Sequence, residues 1–170
     1  DFEHFLSRFT SRKRKTVKRE RRKVSEQGIT LQRLTGDQIK AEHLQCFYRF
    51  YQSTYLKRGR LGYLSATFFQ HLLHTMSAQM LLVSAEHAGE PVAAALYFKG
   101  DNTLYGRYWG CSADHDSLHF EACYYQGIEF CIEHGLNRFD PGAQGEHKIQ
   151  RGFEPIRTRS LHRIADPRFA

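Results

Sequence analysis

A chain of 170 residues is long enough for one domain with a real core and too short for two. No apolar run approaches the ~20 residues that span a bilayer and no leader pattern stands at its start, which argues against a membrane-spanning protein. The net charge of +7 is uneven: residues 8–23 hold ten Lys and Arg against Glu20 alone, which leaves the remainder slightly acidic.

Phe2, Phe5, Leu6 and Phe9 have helical spacing and could pin the first segment to the rest of the chain. The basic run Arg12, Lys13, Arg14, Lys15, Lys18, Arg19, Arg21, Arg22, Lys23 would neutralise several phosphates on RNA or an anionic membrane. The bland alternative is a solvated helix face. Residues 1–27 therefore read as a basic helical arm or linker, and 28–170 as the domain. Because the chain opens on Asp1 rather than Met, it is expected to be a fragment of a longer protein.

Gly28 ends the arm, and residues 29–34 alternate as a short strand. The run Thr35-Gly36-Asp37 caps a helix expected over 38–58, with Ile39, Leu44, Phe47, Tyr48, Tyr51 and Tyr55 on its apolar stripe. After Gly59 and Gly62, residues 67–76 read as another helix. Residues 80–87, 91–99 and 103–109 alternate between tight turns and predict a three-strand antiparallel meander. Ser117 is expected to cap a helix running to about residue 134, where Gly135 stops it. A short strand then ends at Asp140, and a last strand is expected over 156–164.

Four cysteines without a CxxC pair suit reduced thiols and a cytoplasmic setting. Cys111, His115, His119 and Cys123 recur every fourth residue, but on one helix they would span about 18 Å, too far to surround one ion, so no metal is expected.

The stretch 138–155 concentrates chemistry. Pro141, Gly142 and Gly145 break the strand after Asp140, and the loop carries Gln144, Glu146, His147, Lys148 and Arg151 within reach of a substrate. Asp140 could orient or deprotonate an amine, and His147 can act as acid or base near neutral pH. Lys148 and Arg151 could hold a phosphate or a developing negative charge. The plain alternatives are that Asp140 caps a turn and Arg151 pairs with a nearby glutamate. Arg107 and Tyr108 should point to opposite faces of their strand, with Arg107 the better choice for the cleft. For Glu121, in a first helical turn, the helix dipole alone is a sufficient explanation.

The element order, together with Tyr108-Trp109-Gly110-Cys111, Leu118-His119-Phe120-Glu121, Phe139-Asp140-Pro141-Gly142 and the block 147–155, resembles the FemAB-like N-acyltransferases of the GNAT superfamily. More distantly it is similar to Fem-type and aminoacyl-tRNA-protein transferases. The resemblance implies an α+β fold: a GNAT-like acyltransferase domain whose mixed, largely antiparallel sheet is flanked by helices, preceded by the basic arm. It implies transfer of an activated acyl group to an amine, with Asp140, His147 and Lys148 catalytic and Arg107, His119, Glu121, Gln144, Arg151 and Phe153 binding substrate. The implied donor is aminoacyl-tRNA or acyl-CoA. GNAT enzymes that use acetyl-CoA generally carry a glycine-rich pyrophosphate loop, whereas residues 110–116 here include Asp114 and Asp116, which would repel a pyrophosphate. That departure favours tRNA, which the basic arm would suit. A competing expectation is a non-catalytic module that binds RNA or an anionic membrane through the arm.

Overall fold

The computed structural model describes residues 1–143, 145–166 and 168. Two helices come first, α1 (Phe2–Ser7) and α2 (Ser11–Glu26), then strand β1 (Ile29–Thr35) and helices α3 (Ala41–Leu56) and α4 (Ala66–Met76). The meander follows as β2 (Met80–His87), β3 (Glu90–Lys99) and β4 (Thr103–Cys111). A composite helix comes next: α5 (Leu118–Phe120), a π turn (Glu121–Tyr125) and α6 (Gln126–Glu133). Strand β5 (Arg138–Asp140) and a 3-10 turn (Glu146–Arg151) complete the order. The sheet runs β1-β2-β3-β4-β5, antiparallel through β4, with β5 parallel to β4.

Because helices cover both faces, the middle strands are apolar on both sides rather than alternating. Met80 and Leu82 of β2 face α3 and α4, where they meet Phe47, Phe50, Tyr51 and Phe69. Leu81 and Val83 point the other way, to Ala122, Phe130 and Cys131. The seam between α3 and β4 depends on Gly110, since a Cβ there would lie 2.1 Å from the Phe50 carbonyl oxygen. Thr54 stitches the same seam by donating its hydroxyl to the Trp109 carbonyl at 3.0 Å.

The basic segment is helical, and its apolar positions are covered. Leu6 and Val17 are buried with Tyr124, Tyr125 and Ile128, and Val24 is buried with Ile29, Ala85 and Leu118. Arg21, expected on RNA, turns inward to grip Glu121 and Glu129 with its guanidinium, at 2.7–3.1 Å. Arg14 donates to the carbonyls of Leu6 and Phe9, satisfying the end of α1.

Three local expectations change. The α3 helix starts at Ala41, after a separate 3-10 turn, Gly36–Gln38, capped by Thr35 and Gln38. Ser117 does not cap its helix: its backbone is left-handed at φ 66°, and its hydroxyl donates to Asp116. Residues 156–164 form no strand, because no neighbouring strand pairs with them and their side chains lie exposed.

Candidate functional site

The last pair between β4 and β5 is Tyr105 with Asp140. Pro141 then lacks the N–H that would continue the ladder, and the chain turns away. The Asp140 carboxylate fixes that turn by accepting from the Gly142 N–H at 2.8 Å. β4 runs on to Cys111, so the strands part beside its upper half. At the parting point the register of β3 with β4 shifts, Leu96 facing Tyr108 and Tyr97 facing Gly106. Arg107 is the extra residue of this bulge, exposed, its guanidinium 5.7 Å from the Tyr108 ring centre.

A chain of rings bridges from β4 to the 3-10 turn. Trp109 of β4 lies 5.3 Å from the His119 ring, which in turn lies 5.4 Å from Tyr124 and 6.1 Å from His147. The Tyr124 hydroxyl and His147 Nε2 are hydrogen-bonded at 2.8 Å. Burial, reinforced by the positive charges of Arg151 and Lys148, lowers the pKa of His147, so its imidazole is neutral near pH 7 and can accept a proton. His119 is pushed down to about 4, first by burial and then by His147, Arg151 and Lys148. Its Nδ1 is buried without a hydrogen-bond partner. Tyr124 is raised above the ordinary phenol value, mainly by burial, and stays protonated.

The remaining residues divide by what holds them. Lys148 donates to the Pro141 and Gly142 carbonyls at 2.8 and 2.9 Å, and the nearby Asp140 partly offsets the burial that lowers its pKa. Asp140 and Lys148 thus clasp one turn from two sides. Arg151 is buried; it grips Glu20 at 2.6 and 3.1 Å, donates to the His147 carbonyl at 2.8 Å and stacks over Phe120 at 3.3 Å. Every polar group of that guanidinium has an internal partner, so it fixes the loop to α2 instead of facing a substrate. Glu121 is likewise buried, held by Arg21 and by Gln126 at 2.7 Å. Phe153 packs edge-on against Tyr124 and Phe139. Gln144 lies outside the described residues. Asp140, His119, His147 and Lys148 therefore gather at the parting of the strands, Arg107 flanks it on β4, and Glu121, Arg151 and Phe153 support it from behind.

Tyr124 and Glu20 were not anticipated from sequence. His119 and Tyr124 are five apart, a spacing that an ordinary helix would send to different sides; the π turn brings them together. Glu20 was masked as the lone acid in a basic run. Before the helix start, Asp114 is paired with Lys57 at 3.3 Å and Asp116 with Lys23 at 2.5 Å, so a lysine offsets each of the two carboxylates expected to repel a pyrophosphate.

Several solved structures that share this fold are described as acetyltransferases. A probable acetyltransferase superposes with TM-score 0.59 at 12% identity over 81% of this chain and 99% of its own. An aminoglycoside acetyltransferase from an uncultured soil metagenomic sample, in complex with sisomicin, gives 0.57 at 10% over 84% and 98%. A predicted acetyltransferase with acetyl-CoA from Clostridium acetobutylicum gives 0.59 at 8% over 79% and 96%. No curated protein sequence matches significantly. The family model described as peptidoglycan biosynthesis and recognition spans residues 1–170, and the chain belongs to that FemAB-like family.

Proposed function

We propose that this protein transfers an activated acyl group to an amine at the parting of β4 and β5. The observation that carries the reading is His147, hydrogen-bonded to Tyr124, beside the point where Pro141 ends the parallel ladder. The acceptor nitrogen attacks the acyl carbonyl carbon, a C–N bond forms, and the C–S or C–O bond of the donor breaks. The proton leaving the amine passes to His147 and then to the departing thiol or hydroxyl. Asp140 orients the amine, Lys148 holds the turn that presents both groups, and backbone N–H groups at the Arg107 bulge meet the charge developing on the carbonyl oxygen. The family description directs the acceptor toward peptidoglycan material carrying a free amine.

Acyl-CoA is the first donor to try, since the fold is shared with proteins solved with acetyl-CoA. A specific observation favours aminoacyl-tRNA as a second reading: Arg12, Lys15, Lys18, Arg19 and Arg22 crowd one surface of α2. Incubating the chain with each donor and an amine-bearing muropeptide, followed by mass spectrometry, tests the reading. An N-acylated product from either donor supports it, and the donor used names the chemistry. No product from either sinks it.

A further inference from the structure

On the α3 side of β4, opposite the histidines, a hollow of about 520 Å³ opens between α3 and the 57–65 loop. Its lining includes Tyr48, Gln52, Leu61, Tyr63 and Ser65 and no charged side chain. The loop is fixed: Gly62 N–H donates to Gln52 Oε1 at 3.0 Å and Leu64 N–H to the Tyr51 hydroxyl at 3.2 Å. Gly62 presses so closely on the Tyr51 ring that a Cβ there would lie 2.3 Å from it. Leu61 and Tyr63 nevertheless stand 75% and 68% exposed, so two large side chains are held in water by a loop built to hold them.

We propose that this hollow is a subsite for a neutral sugar ring of the acceptor. The inference rests on the acyl-transfer reading, which it deepens by naming the acceptor's class. A pyranose offers an apolar C–H face and a hydroxyl edge, and the hollow offers aromatic rings and hydroxyls in the same arrangement. Tyr48 accepts from Gln52 at 2.8 Å, which leaves its own proton for a ligand, and the Tyr63 and Tyr108 hydroxyls meet at 3.2 Å. Burial pushes Tyr108, the partner of Tyr63, up to about 12, so its phenol stays protonated. An anion would find no cation among the lining residues, and a cation no carboxylate. Tyr108 directly follows the bulge residue Arg107, which sets a sugar on this shelf beside the parting of the strands.

The test needs no donor: titration of the chain with a neutral N-acetylglucosamine disaccharide, followed by saturation-transfer NMR. The ring C–H protons are expected to receive saturation, and Tyr63→Ala to weaken binding about tenfold or more, while Tyr63→Phe keeps most of it through stacking. His147→Gln should bind the sugar like wild type. Absence of binding, or equal binding by Tyr63→Ala, overturns the subsite even if acyl transfer to simple amines proceeds. Sugar binding that depends on Tyr63 upholds the subsite even if no turnover is found.

Discussion

At the level of single residues, the fold favours a neutral His119, and Arg151 fixes its loop to α2. His119 is half-buried between Trp109 and Tyr124 and lies near His147, Arg151 and Lys148, which favours its neutral form in the folded chain. Its folded pKa, about 4, lies below the ~6.5 of an unfolded histidine. Between those values the unfolded chain binds a proton that the folded chain refuses, so stability falls as pH drops from about 6.5 to about 4 and levels off below. The loss attributable to His119 is up to about 3 kcal/mol, and the lowered pKa of His147 adds in the same direction. Urea unfolding of wild type and His119→Gln across that window checks it: the wild-type curve should fall more steeply, and parallel curves would remove His119 from the explanation.

At the level of elements, α2 is two things at once. Its inward side holds Val17, Val24, Glu20 and Arg21, the last closing a network with the buried Glu121. Arg21→Ala strands that carboxylate and is expected to cost about 3 kcal/mol. The triple change of Arg12, Lys15 and Arg19 to Glu, all exposed, should alter stability by less than about 1 kcal/mol. Thermal melts of the two variants separate the sides, and similar losses in both would contradict the division. Gly110→Ala drives a methyl into the Phe50 carbonyl and should destabilise by roughly 3 kcal/mol, again read by melting.

Turn residues such as Gly89, Gly100, Gly135 and Pro141 made the meander and the strand ending at Asp140 legible, and apolar spacing did the same for α4. Phe47 and Tyr51 were equally readable as part of the α3 stripe. The parallel ladder ending at Pro141 gave the site its place. The rest was hidden for physical reasons. A π turn changes which residues share a face, so Tyr124 could not be paired with His119 or His147 by counting. Arg151 and Glu121 looked available because their partners, Glu20 and Arg21, lie more than 95 residues away in sequence. The strand expected over 156–164 does not form, because pairing needs a neighbour and none lies beside it among the described residues.

At the level of the molecule, the two faces of the sheet carry different side chains beside the end of the β4–β5 ladder. Histidines, Tyr124 and the clasped turn lie toward α5 and α6, the tyrosine hollow lies toward α3, and the Arg107 bulge stands between them. No helix among the described residues is long and apolar enough to cross a membrane. The most direct measurement is the single-turnover rate of N-acylation by the whole chain, wild type against His147→Gln, with circular dichroism confirming that both are folded. The variant is expected to lose on the order of a hundredfold or more in rate while its affinity for donor stays near wild type. A folded His147→Gln that acylates the amine at the wild-type rate would contradict the assignment of the base and, with it, the site.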